Sequence, residues 1–119
     1  MPYEVCTLRS LESTEVTDSA LAQTLCYDLR RQVAGDVLEH VDFYRICLQD
    51  HRILEVVRST AETKLAPLLT YVLTHELIHV VRFGQRLQRV DLADELRPEE
   101  ESKVERTTRR ILRAVCSRQ

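Results

Sequence analysis

Apolar residues recur every fourth position at Leu21, Leu25, Leu29 and Val33, and the recurrence stops at Gly35. With Thr17, Asp18 and Ser19 ahead of it as capping candidates, this spacing predicts an amphipathic helix over residues 18–34. Asp36 followed by Glu39 has the form of a capping box and predicts a second helix from Val37. The runs Phe43-Tyr-Arg-Ile-Cys-Leu48 and Arg52-Ile-Leu-Glu-Val-Val57 also fit two short strands around Gln49-Asp-His51. That turn has no Gly, Pro or Asn, so helix is the favoured reading there. Ser59 and Glu62 form another capping box, predicting a third helix that runs to Phe83 and stops at Gly84, with a kink or fresh start at Pro67. Residues 85–97 read as a polar connection. Pro98 then suits the first turn of a fourth helix, whose inward stripe is Val104, Thr108, Ile111, Leu112 and Val115. The expected fold is mainly α, with about four helices; the alternative is α+β with a short hairpin in residues 43–57.

Two glycines and three prolines in 119 residues agree with long elements and few tight turns. The length suits one domain covering residues 1–119. A hydrophobic fraction of 44% and a charged fraction of 30% belong to an ordinary globular chain rather than a disordered one. The net charge is only −2, but it is unevenly placed. Glu99, Glu100 and Glu101 precede Arg106, Arg109, Arg110, Arg113 and Arg118, a polarity that complements the dipole of one helix. Without aromatic interleaving or net positive charge, a nucleic-acid partner is not expected. The longest uncharged run, residues 65–74, is too short to span a membrane, and residues 1–20 lack the apolar core of a secretory leader. Cys6, Cys26, Cys47 and Cys116 are widely spaced with no CxxC pair, which disfavours a zinc ribbon. Free thiols in a reducing cytoplasm are the expectation.

One segment carries chemistry. In Val72-Leu-Thr-His-Glu-Leu-Ile-His-Val-Val81, His75 and His79 are four apart, with Glu76 directly after the first. On a helix, residues i and i+4 share a face, so both imidazoles can aim at one point and suit Zn²⁺. Glu76 is rotated around the helix and is placed to take a proton from an attacking water as general base. Two imidazoles and a carboxylate on an apolar helix are costly to bury without such a partner.

The uncharged flanks Val72, Leu73, Thr74, Leu77, Ile78, Val80 and Val81 make the segment similar to the extended HExxH signature of zinc metallopeptidases. No histidine follows His79, which excludes the metzincin arrangement. Residues 60–112 therefore resemble the gluzincins, and the length resembles their minimal single-domain forms. The resemblance implies a third zinc ligand from a glutamate on a later helix, a peptide or protein substrate, and a strand beside the metal helix to bind it. Only residues 43–57 are free to supply such a strand, which would make the fold zincin-like. Candidate ligands are Glu95, Glu99, Glu100, Glu101 and Glu105. Helical phase favours Glu101, three before Val104 and seven before Thr108. Glu105 shares that face and serves either as an alternative ligand or as a carboxylate orienting a ligand histidine.

The implied activity is that of a zinc-dependent metallopeptidase or other metal hydrolase. The alternative is a non-catalytic or redox helical bundle of the ferritin-like di-iron type, since Glu76-Leu-Ile-His79 is also an ExxH element. Tyr44, His51 and Tyr71 can donate to an oxyanion, but packing or surface roles are the simpler expectation. Arg82 is expected to pair with an acid, and His40 to lie on a solvated helix face near Glu39 and Asp42.

Overall fold

The four-residue recurrence of Leu21, Leu25, Leu29 and Val33 is met by a strand, not by a helix. Every fourth residue also falls on one face of a chain whose side chains alternate with period two, so the spacing fits either geometry. What decides is a partner. In the computed structural model, β2 (Ala22–Val33) pairs antiparallel along its whole length with β3 (Val37–Leu48), from Ala22↔Leu48 to Val33↔Val37. The backbone groups of these two segments then satisfy each other across the ladder rather than within helices. Gly35, expected as a helix stop, sits at the hairpin end with φ of +81°, the left-handed region that a tight reversal requires. The capping box expected at Asp36 and Glu39 is overturned as well, since Glu39 lies within β3. Residues 2–33, 35, 37–85 and 97–116 are described, with backbone alone for 30–33, 37–39 and 116.

A short first strand, β1 (Tyr3–Cys6), runs parallel to β3 and completes a three-stranded sheet of order β1-β3-β2. The expectation of a mainly α fold with about four helices is thus corrected. The described residues form three α-helices and a mixed sheet: α1 (Asp50–Ser59), α2 (Leu65–Gly84) and α3 (Arg97–Cys116). The α+β alternative fits only in part. Residues 43–48 are strand, but 52–57 belong to α1, so the hairpin lies between β2 and β3 rather than within 43–57. The box expected at Ser59 and Glu62 does not open α2, because Ser59 ends α1. Pro67 instead occupies the first turn of α2, where a missing N–H costs nothing.

The two sheet faces are closed differently. Ala22, Tyr44, Ile46 and Leu48 point toward the helices and pack with Ile53 of α1 and Val72 and Val80 of α2. Each of the buried Ile, Leu and Val side chains contributes about 1.5–3 kcal/mol. On the opposite face, Arg45 and Cys47 lie under the segment joining β1 to β2. Its buried Glu15 accepts hydrogen bonds from the Tyr27 hydroxyl at 2.6 Å and the Glu12 amide at 2.8 Å, with the Arg45 guanidinium 3.3 Å away. The wholly buried Gln49 staples the same segment, donating to the Glu15 carbonyl at 3.0 Å and accepting from the Thr17 amide at 2.9 Å.

Of the stripe expected on α3, Val104 and Thr108 are fully buried, whereas Ile111 and Val115 are exposed. The first half of α3 therefore docks onto α2 and the second half outruns its support. No described helix is long and apolar enough to cross a membrane.

Candidate metal centre

The helix expected around the two histidines is the middle of α2. One turn apart, His75 and His79 bring their ring centroids within 5.1 Å of each other on the side facing α3. Val72, Glu76 and Val80 are buried on the same helix, the two valines in the core against the sheet. Val104 and Thr108 hold α3 against α2, which sets Glu101, one turn before Val104, opposite the histidine pair.

Glu101 reaches both imidazoles. Its Oε2 lies 3.1 Å from His75 Nε2 and its Oε1 lies 3.1 Å from His79 Nε2. One donor atom from each of His75, His79 and Glu101 falls within 4.8 Å of the others, and no second such group occurs among the described residues. A tetrahedral zinc with bonds of about 2.0–2.1 Å places its ligand atoms about 3.3 Å apart, so this donor set matches the ion in chemistry and in scale. The hydrogen bonds from His75 and then His79 hold the Glu101 carboxyl far below the usual carboxylate range. It is therefore anionic at any pH where the imidazoles are neutral, the ionic state that metal ligation needs.

Glu105, one turn further along α3, stands behind His75. Its Oε2 is 3.4 Å from His75 Nδ1, within reach of ionic attraction but too poorly aligned to count as a hydrogen bond, so that buried nitrogen lacks a partner. A metal held at Nε2 leaves the proton on Nδ1, and Glu105 is the acceptor beside it. The Tyr71 hydroxyl and Arg109, whose Nε is 2.9 Å from Oε1, keep the Glu105 carboxyl below its ordinary range. Burial and the same contact push Tyr71 up to about 12, so it stays a donor. Of the five candidate glutamates, Glu101 and Glu105 reach the histidines. Glu100 is buried against Arg82, which donates through both Nε and Nη2, the acid partner expected for that arginine. Glu99 is exposed and 3.9 Å from Lys103, and Glu95 lies outside the described residues.

Glu76 is turned away from α3 toward β2, displaced around the helix from the two histidines. It is only 7% exposed, and its Oε2 accepts a 2.6 Å hydrogen bond from the Thr24 hydroxyl. Sequence reasoning missed Thr24, because the segment containing it reads as a helix and the contact joins residues 52 apart. Glu76, His79 and Glu101 share a cleft of about 590 Å³ with Ala22, Thr24 and Cys26 of β2. Its outer wall is the free edge of the sheet, since β2 pairs only with β3 among the described strands. The strand lining this cleft is β2, residues 22–33, rather than the 43–57 segment considered from the sequence.

The remaining sequence candidates lie elsewhere. Tyr44 is buried and stacked on Phe83 with ring centroids 5.8 Å apart. His51 pairs with Asp18 at 2.7 Å. His40 pairs with Asp28 at 3.2 Å on the exposed hairpin, a strand position rather than the expected helix face. Among the described residues no four-helix bundle of the kind a ferritin-like di-iron site requires is formed; three α-helices pack with a sheet. No protein-family model, curated protein or solved structure matches the chain.

Proposed function

We propose that the chain is a zinc-dependent hydrolase of peptide bonds, with His75, His79 and Glu101 as the metal ligands and Glu76 as general base. The observation that carries this reading is the convergence of two imidazoles and one carboxylate at 3.1 Å contacts, with a second, separately held carboxylate on the same helix. A structural metal site needs no such second carboxylate; hydrolysis does. When bound, zinc supplies Lewis acidity that polarises a carbonyl and acidifies water at neutral pH. Glu76 takes a proton from the attacking water as its oxygen bonds to the carbonyl carbon. It then hands that proton to the amine as the C–N bond breaks. With a metal at Nε2, Glu105 would be the acceptor nearest the His75 Nδ1 proton, 3.4 Å away.

The edge of β2, unpaired among the described strands, favours a peptide substrate, because an extended chain can pair with it through main-chain hydrogen bonds. The cleft follows β2 from Ala22 to Tyr27, room for an extended segment of about six residues at roughly 3.3 Å each. A cytoplasmic location, with no membrane or nucleic-acid partner, belongs to the same proposal. Metal analysis and turnover of fluorescein-labelled casein test it together. The expected result is one zinc per chain, lost in His79→Ala, with Glu76→Gln keeping zinc while turnover falls about 100-fold or more. Protein without metal, or with two irons per chain, would overturn it.

A further inference from the structure

We infer that Thr24 on β2 is the positioning residue for Glu76, fixing which carboxylate oxygen is free to accept the proton. The inference rests on the hydrolase reading above. Thr24 and Glu76 come from different elements and are 52 residues apart, yet the hydroxyl donates to Glu76 Oε2 at 2.6 Å. The same hydroxyl lies 3.3 Å from the Glu76 main-chain carbonyl, a longer contact that competes for the same proton, and the 2.6 Å approach to Oε2 is the shorter of the two. A threonine hydroxyl has one proton to donate. Spending it on Oε2 leaves Oε1 as the acceptor, and it sets the plane of the carboxylate about its terminal torsion.

A terminal carboxylate torsion is broad by itself, with no staggered well to hold it. A base that swings through that range spends only part of its time aimed at the attacking water, and misplacement by about 1 Å can cost on the order of 100-fold. The α2 backbone fixes where Glu76 starts. Among the described residues, the Thr24 hydroxyl is the donor that fixes where the carboxylate ends. Thr24 lies midway along the part of β2 that lines the cleft, so the strand offered to substrate also holds the base. Substrate pairing with that edge would stiffen the strand and the base together.

The test compares Thr24→Val, Thr24→Ala and Thr24→Ser in the full, zinc-loaded chain with labelled casein. Val keeps the shape and drops the hydroxyl, Ala guards against a misfolded Val variant, and Ser restores the donor. In the Val and Ala variants kcat should fall by about 10- to 100-fold, with KM within about twofold and zinc retained at the wild-type level. The Ser variant should stay within about threefold of wild type. A loss of zinc, or a rise in KM at constant kcat, would overturn the positioning role in favour of a structural or binding one. Wild-type kcat in the Val and Ala variants would overturn it while leaving the hydrolase reading standing. Absence of turnover in the wild-type protein would overturn both.

Discussion

If His75, His79 and Glu101 hold zinc as proposed, removing the Glu101 carboxylate separates metal binding from folding, because the residue belongs to the cluster but not to the core. Its side chain is 57% exposed, and its neighbours Glu100 and Val104 do the packing. In metal-free protein, Glu101→Gln therefore forfeits only solvent-screened contacts to two imidazoles, a cost within about 1 kcal/mol. The metal-bound state loses one of three protein ligands. Four-ligand structural zinc sites bind with about 10–16 kcal/mol, or roughly 3 kcal/mol per ligand, which corresponds to about 150-fold in affinity. The expected zinc affinity of Glu101→Gln is thus about 100-fold below wild type, with the urea midpoint of metal-free protein nearly unchanged. Competition against a chromophoric chelator measures the first quantity and urea titration in excess chelator the second. Glu105→Gln should weaken zinc only about 10-fold, as expected for a carboxylate that orients a ligand. Less than a fivefold loss in Glu101→Gln, or a larger loss in Glu105→Gln, would refute the assignment and move the third ligand one turn along α3.

Acid sensitivity should trace to Glu15, whose carboxyl is held below its ordinary 4.5 by the Tyr27 hydroxyl, the Glu12 amide and Arg45. A group with a lowered folded-state value contributes stability that is complete above 4.5 and is lost as pH falls through that lower value. Glu15→Gln should cost about 1.5–3 kcal/mol at pH 7 and flatten the decline in stability below pH 4.5; an unchanged acid limb in urea titrations would contradict this. Val104→Ala removes two buried carbons, about 1.6 kcal/mol of transfer free energy plus a cavity term, or about 2 kcal/mol in all. Because Val104 seats the turn that carries Glu101, the same change should weaken zinc binding several-fold in the chelator competition. Unaltered affinity would show that the α3 docking does not position Glu101.

Local chemistry was legible because it repeats within one helical turn. The 75–79 spacing, the rotation of Glu76 away from the histidine face, and the shared phase of Glu101, Val104 and Thr108 all follow from 3.6 residues per turn. Residues 18–48 were not legible in the same way. Leucines every fourth position satisfy a helix stripe and a strand face equally, and Gly35 ends a helix or closes a hairpin with the same positive φ. The tie is broken by the ladder from Ala22↔Leu48 to Val33↔Val37, a relation between two segments that neither contains alone. From that pairing follow the sheet edge beside α2, the cleft along it, and the 2.6 Å contact of Thr24 with Glu76. The chain alone places two histidines and Glu76 on one helix and leaves a short choice of glutamates to face them. Which carboxylate reaches the histidines and what holds Glu76 depend on distances between residues that only packing brings together.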